Sequence, residues 1–277
     1  MSDIAARRAA FRKLHESGCF VIPNPWDAGS ARYLEGLGFK ALATTSSGFA
    51  FSRGLPDAEW AVPRDLMLEH LRELVAAVNL PLNADFQAGY GEKPEDVAES
   101  VRLCVATGVA GLSIEDRSGE RGKPLFELPL ALERLKAARA AIDASGADVL
   151  LTGRAECFLV EHPDPLQEAV RRLTAYVGAG ADVLFAPGLR HRWEIETIVA
   201  AVSPKPVNVL MGSDIGLRLA DLATMGVRRI SVGSSLARAA WTGFIHAAKL
   251  IAEKGTFAGV EGVVSGGELN EFFKSRV

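Results

Sequence analysis

The sequence predicts an α/β protein, a single (β/α)8 barrel with an extra N-terminal helix and a C-terminal helical extension. Three observations carry this. Short aliphatic or β-branched runs alternate with longer segments whose apolar residues recur at helical spacing. The alternation repeats about eight times in about 250 residues, which suits a closed parallel barrel better than an open doubly wound sheet. Several helical segments run into a glycine turn just before the next strand, as in GLGFK, ATGVAG, GAGADV and TMGVRR. Glycine there supplies the left-handed cap of a tight helix-to-strand joint.

Taken in order, residues 3–17 form an amphipathic helix with Ile4, Phe11 and Leu14 on one side, expected to cap the barrel bottom. Strands are expected at Phe20–Pro23, Ala41–Thr44, Leu80–Asp85, Gly111–Glu115, Asp148–Thr152, Asp182–Phe185, Val207–Leu210 and Arg229–Val232. The helices between them include Glu95–Thr107, Leu130–Ala144, Pro165–Gly178 and Ile215–Met225. After a long segment, Ser234–Lys254, a glycine-rich link leads to a short helix carrying Leu269, Phe272 and Phe273, which need cover from the home barrel or a partner subunit. One domain, 1–277, is expected, with the barrel at about 18–250 and the extension at about 251–277.

At 277 residues and 48% hydrophobic content, the chain can bury a large core. A net charge of −3, with Lys and Arg scattered, leaves no footprint for nucleic acid or an anionic membrane. No apolar run approaches the roughly 18 residues of a membrane span, and the N-terminus lacks the apolar core of a signal peptide. A cytoplasmic protein is expected. Cys19, Cys104 and Cys157 have no CxxC spacing, which points to reduced thiols rather than a disulfide framework or a zinc site.

In a βα barrel, chemistry gathers where the C-terminal strand ends converge on one mouth. The polar residues at those ends are Asn24 and Asp27; Thr44, Thr45, Ser46 and Ser47; Asp85 and Gln87; Glu115 and Asp116; Arg154 and Glu156; Asn208; and Ser231. Asp85 and Glu115 thus stand on adjacent staves. Neighbouring carboxylates in a partly buried site repel unless a cation or a shared proton relieves them. An all-oxygen shell suits Mg²⁺, or Mn²⁺ in its place. The competing reading is that Asp85 caps the next helix and Glu115 pairs with an arginine such as Arg117. Gln87 could support a bound water. Arg154, in LLTGRAECF, can hold a substrate carboxylate bidentately, or else pair with Glu156 or Glu115. The TTSSG run, residues 44–48, offers hydroxyls and successive backbone N–H groups to an anionic group, or is a plain turn.

Other chemistries fit less well. A Schiff-base lysine is missing, because Lys40 and Lys205 precede their strands and Lys123 sits in a long loop. The glycines of GSDIG and VGSS occupy the place where many barrels bind phosphate, yet glycine is common at such turns. The five histidines have no metal-ligand spacing.

The segments NPWDAGSARYLEGLGFKALATTSSG, LPLNADFQAGYG, GLSIEDR and TGRAECF, in this order and spacing, resemble the isocitrate lyase and phosphoenolpyruvate mutase superfamily, over about residues 18–250. The resemblance implies a (β/α)8 barrel, a Mg²⁺ site for small 2-oxo or 2-hydroxy carboxylates, and a homodimer or homotetramer that exchanges the last barrel helix. It implies Asp85 as a direct metal ligand, Glu115 as a ligand through water, Arg154 as the holder of a substrate carboxylate and Asp57, in GLPD, as an acid near the site. Thr45, Ser46 and Ser47 fall where family backbone amides bind the oxygen that becomes negative, and Asn208 joins the substrate-binding set. Two departures stand out. The family's second metal-associated aspartate is Gln87 here. The loop after strand four, EDRSGERGKPLFE, lacks both the lyase cysteine and the asparagine of the mutase branch. Arg117, Arg121 and Lys123 are candidates for a lid, and Tyr90 for ordering the glycine-bracketed loop.

What remains is chemistry shared by all branches: a metal, an arginine and amide donors stabilise an enolate as the bond one carbon from the 2-oxo group breaks. The expected activity is a Mg²⁺-dependent carbon–carbon lyase or decarboxylase acting on a small di- or tricarboxylate, with the general acid unassigned. The alternatives are a phosphonopyruvate hydrolase or mutase-type enzyme, and a 2-oxo-acid-binding protein without turnover.

Overall fold

The computed structural model describes residues 3–274; residues 1–2 and 275–277, the ends of the expected domain, lie outside the described residues. Ten strands occur among the described residues. They are β1 (Phe20–Ile22), β2 (Leu42–Ala43), β3 (Leu82–Asp85), β4 (Gly111–Glu115), a hairpin of β5 (Arg117–Glu120) and β6 (Lys123–Leu125), β7 (Leu150–Arg154), β8 (Val183–Phe185), β9 (Val207–Leu210) and β10 (Arg229–Ser231). Outside the hairpin the strands form one parallel sheet in the order β1-β10-β9-β8-β7-β4-β3-β2. The seam between β1 and β2 is bridged by Ala43 N–H donating to Pro23 O at 3.1 Å, which brings the sheet close to a closed barrel. The helices are α1 (Ile4–Leu14), α2 (Ala28–Gly36), α3 (Ser46–Ser52), α4 (Arg64–Ala77), α5 (Pro94–Ala106), α6 (Leu128–Ala144), α7 (Pro165–Gly178), α8 (Arg192–Val202), α9 (Leu219–Thr224), α10 (Ser235–Lys254) and α11 (Gly266–Lys274). None of them is long and apolar enough to cross a membrane.

Where boundaries differ from expectation, local chemistry explains them. β7 lies two residues further along than Asp148–Thr152, because Asp148 turns outward to accept from Arg12 Nε at 2.6 Å. The shift brings Arg154 into the ladder opposite Glu115. The expected helix Ile215–Met225 begins only at Leu219, since Gly216 has φ +77° and its N–H bonds Asp214 Oδ1. The TTSSG run starts a helix, α3, with Thr45 as its N-cap. Asp27, one of the polar strand-end residues, caps α2 by accepting from Ser30 N–H at 2.7 Å.

α1 plugs the barrel floor. Phe11 is fully buried among Ile22, Ala41, Ala110, Leu150 and Val183, while Ile4, expected on the same face, is 39% exposed. The plug needs a narrow floor: a Cβ on Gly111 would lie 2.7 Å from the Phe11 ring. Arg7 donates to Val75 O and Val78 O, and Arg8 to Val105 O and Val109 O, so two α1 arginines satisfy carbonyls at the ends of α4 and α5. Above the plug the interior turns polar, with buried Asn83, Ser113, Thr152, Asn208, Arg229 and Ser231, where barrels commonly stack branched aliphatic side chains.

At the C-terminal end, α10 departs from a regular barrel helix: of its twenty residues only Ala237 is buried, and Phe244 is 62% exposed. The tail returns to the home barrel through α11, whose Phe272 ring lies 4.5 Å from that of Tyr33 on α2.

His70 on α4 is buried, stacked on Phe49 of α3 with ring centroids 3.7 Å apart, and burial pushes its pKa down from 6.5 to about 4. The unfolded chain therefore binds a proton that the folded chain refuses. The stability concerned is complete above about pH 6.5 and is lost as pH falls towards 4, by at most about 1.4 kcal/mol per pH unit. His15, pushed down to about 3, acts in the same direction. His70→Phe is expected to flatten this acid limb by about one proton in a pH series of denaturant melts; an unchanged slope would contradict it.

Candidate active site

A cavity of about 200 Å³ opens at the C-terminal strand ends. Thr45, Ser46 and Ser47 at the start of α3 line it, as do Asp57 on the following loop, Asp85 at the end of β3 and Gln87 just beyond it, Glu115 at the end of β4, Arg154 at the end of β7 and Asn208 on β9. These nine residues thus line one cavity. Asn24 ties the mouth across the seam: its Nδ2 donates to Thr44 O, and its Oδ1 accepts from Val232 and Gly233 N–H.

Arg154 is the hub. Its Nη1 lies 3.2 Å from Asp85 Oδ1 and 3.1 Å from Glu115 Oε2, and its Nε donates to Glu156 Oε1 at 2.5 Å. Burial alone would lower the guanidinium's pKa, but Glu115, Glu156 and Asp85 hold it well above its ordinary value. Nη2 takes part in none of these bonds. Of the competing pairings named from the sequence, the structure makes those of Arg154 with Glu115 and Glu156. Glu156 is placed by Asp116, which accepts from Glu156 N–H, from Tyr176 Oη–H and from Arg172 Nη1. Asp116, next to Glu115 in sequence, therefore faces away from the cavity into a supporting network.

Asp85 meets the N-terminus of α3 from the other side. Ser46 N–H and Oγ–H both donate to Asp85 Oδ2 at 2.8 Å, and Asp85 N–H bonds Thr44 Oγ1. The carboxylate thus takes up the Ser46 donors that a bound anion was expected to use. The loop after Asp85 turns through left-handed conformations at Gln87 (φ 48°), Gly89 (φ 80°) and Tyr90 (φ 54°). Gly91 cannot be replaced without movement, since a Cβ there would lie 2.3 Å from Asp96 Cβ. Arg134 of α6 clamps the loop from outside by donating to the carbonyls of Ala88, Gly91 and Glu92.

Charge in the cavity is unbalanced. Among the described lining residues, five carboxylates (Asp57, Glu59, Asp85, Glu115 and Glu156) face three guanidiniums (Arg117, Arg154 and Arg229). The excess appears as raised pKa values. Burial lifts the Glu115 carboxyl well above the usual range, with Glu156, Glu59 and Asp85 adding to it against Arg154. Burial and then Asp85 raise Asp57, and burial raises Glu59. No three His, Cys, Asp or Glu side chains among the described residues cluster as a complete metal cage. The donors present nonetheless fit a hard divalent cation: they are all oxygens, their surplus charge matches one such ion, and Gln87 Oε1 is buried with no hydrogen-bond partner. Asp85, Glu115 and Gln87 are the residues that could hold it, with water or substrate completing the shell.

Cys104 and Cys157 are fully buried away from this cavity, whose described lining contains neither cysteine nor lysine. Arg117 reaches it from the hairpin; Arg121 and Lys123 do not line it. Sequence reasoning missed Glu59 and Arg229. Glu59 stands two residues beyond Asp57 in PDAE, and Arg229 shares the inward register of Ser231, so both had a signal in their spacing.

A sequence model of the family described as phosphoenolpyruvate phosphomutase matches residues 11–252. The chain is 30% identical to an oxaloacetate decarboxylase of Rhodopseudomonas palustris (strain BisB5) over 82% of this chain and 77% of that protein. A Burkholderia cenocepacia J2315 crystal structure, provisionally described as a lyase/mutase, superposes with a TM-score of 0.92 at 46% identity, covering 98% of this chain and 97% of that one. The structure of an oxaloacetate acetylhydrolase with the product oxalate superposes with a TM-score of 0.85 at 26% identity, covering 98% and 95%.

Arg154→Met leaves three carboxylates without their shared partner and is expected to cost about 3–5 kcal/mol of folding stability, the usual effect of removing one side of a buried ion pair. Chemical denaturation at neutral pH checks this; a loss under about 1 kcal/mol would mean that the carboxylates do not depend on Arg154.

Proposed function

The chain belongs to the phosphoenolpyruvate mutase and isocitrate lyase superfamily, whose members are lyases, decarboxylases and mutases of small carboxylates, and from that premise we propose that it is a Mg²⁺-dependent carbon–carbon lyase or decarboxylase. Its substrate in this reading is a small 2-oxo or 2-hydroxy di- or tricarboxylate. The observation that carries the reading is the partly buried Asp85–Arg154–Glu115 bridge in a cavity whose carboxylates outnumber its guanidiniums.

A divalent cation held by Asp85, Glu115 and Gln87 would supply Lewis acidity, drawing off negative charge as the bond one carbon from the 2-oxo group breaks. The chain's own groups do the rest. Arg154, fixed through Nε and Nη1, presents Nη2 to a substrate carboxylate. Thr45 and Ser47, with Asn208 opposite, orient the ligand's oxygens. Asp57 at the rim is assigned to move the proton, because the thiol that serves the lyase branch has no counterpart in the cavity lining. The hairpin β5–β6 packs beside this rim, where a Cβ on Gly119 would lie 3.0 Å from Glu59 Cβ, and its closure would exclude water.

In this reading the protein assembles through α10. Two apolar grooves flank it, one between Phe51, Leu55, Trp241 and Ile245 and the other between Trp26, Ala237 and Phe244. A homodimer or homotetramer that exchanges α10 would cover them. Light scattering on the purified protein is expected to give a dimer or tetramer mass, and Phe244→Glu to reduce it; a monomer at micromolar concentration would exclude the exchange.

Product-resolved mass spectrometry against oxaloacetate, methylisocitrate, isocitrate, dimethylmalate and phosphonopyruvate tests the activity. Cleavage of one carbon acid is expected with Mg²⁺ and is expected to stop with EDTA. Asp85→Ala should lower turnover by about a hundredfold or more. Turnover that survives both changes would defeat the metal assignment, and turnover of phosphonopyruvate alone would move the protein to the phosphonate branch.

A further inference from the structure

Arg229, the first residue of β10, is a buried charge without a counter-charge. It is 3% exposed and lines the cavity. Its guanidinium reaches neutral groups: Nε donates to Asn208 Oδ1 at 3.0 Å, Nη2 to Thr152 Oγ1 at 3.1 Å, and Nη1 lies 3.5 Å from His15 Nε2. A guanidinium has five N–H donors, so two remain beyond these contacts. Among the described residues no carboxylate lies in ion-pair range of it. Burial lowers its pKa only to about 9, so it stays charged at neutral pH, and His15 beneath it, pushed down to about 3 by burial and then by Arg229, stays neutral.

Buried arginines are ordinarily paired, because an isolated desolvated charge is costly. Arg154 meets this rule with three carboxylates; Arg229 meets it with none. The positions of the two are related. Thr152, which holds Arg229 Nη2, stands two residues below Arg154 on β7, roughly 6.6 Å towards the floor at about 3.3 Å per residue. The same polar interior contains Asn83, whose Oδ1 is buried without a hydrogen-bond partner and whose side chain also lines the cavity. The cavity therefore has an upper cationic level already engaged by protein acids and a lower one whose charge is free.

We propose that Arg229 anchors a second, distal carboxylate of the substrate, so that the site selects short dicarboxylates with one acid group at the Arg154 level and the other a layer deeper. The proposal deepens the lyase reading and rests on it for the upper end of the ligand. Selection arises because a monocarboxylate leaves the Arg229 charge uncompensated, whereas a dicarboxylate completes it with charge-assisted hydrogen bonds.

Calorimetric titration of the full chain with succinate, malonate and acetate tests this without turnover. The wild type is expected to bind a dicarboxylate more tightly than acetate by roughly tenfold to a hundredfold. Arg229→Gln is expected to abolish that preference while changing acetate affinity by less than about threefold, and Arg229→Lys to recover part of it. Circular dichroism confirms that the variants are folded. A wild type with no preference overturns the proposal whatever the variants do, and so does an Arg229→Gln protein that keeps the preference or loses both ligand classes equally. The outcome separates from that of the lyase reading. A cleaving enzyme whose Arg229→Gln variant keeps the preference defeats the anchor alone, whereas an Arg229-dependent preference in a protein inert to every 2-oxo acid defeats the lyase alone.

Discussion

Bringing like charges together on converging strand ends is the constraint around which this molecule is built. Asp85 and Glu115 end neighbouring strands, and Glu156 follows the end of a third. Left alone, three carboxylates in a cavity screened from solvent would repel and take up protons. A single guanidinium, fixed by three of them, holds the cluster together. Burial first, with neighbouring carboxylates adding to it, raises the proton affinity of Asp57, Glu59 and Glu115.

The scaffold serves this cluster at several distances. Asp116, Arg172 and Tyr176 form a buried network behind the mouth that fixes the backbone of Glu156. Arg134 holds the carbonyls of the loop that follows Asp85, so the left-handed turns at Gln87 and Gly89 persist. Ser46 offers its N–H and hydroxyl to Asp85 from the start of α3. Far below, Phe11 of α1 closes the floor, which lets the layers between floor and mouth remain polar and open.

The relatives share a chemistry on small carboxylates while differing in the bond they break, and this chain departs from the lyase branch at the very residue that would protonate a carbanion. The cavity keeps the electrostatic part of the machinery and loses the thiol. Under the proposed reading, such a site would favour reactions that rely mostly on charge stabilisation, decarboxylation among them. Beneath it lies a second arginine, Arg229, whose contacts are all with neutral groups.

Much of the molecule was legible from pattern. Strand and helix periodicity announced the barrel because burial on both faces of a parallel strand leaves an unbroken apolar run. Acids that end such runs, Asp85 and Glu115, announced the mouth, and so did Arg154. What pattern could not decide was partnership. Of the two arginines that could pair with Glu115, Arg154 joins the acids because β7 carries it into the ladder opposite Glu115. Ser46 serves Asp85 because TTSSG becomes a helix start. Arg229 enters the cavity because barrel shear sets the start of β10 beside Asn208 and Thr152. The sequence by itself determined which residues are polar at the strand ends, since local periodicity encodes facing. Only the tertiary structure decided which charges neutralise one another and which is left over, because that depends on distances between strands far apart in the chain.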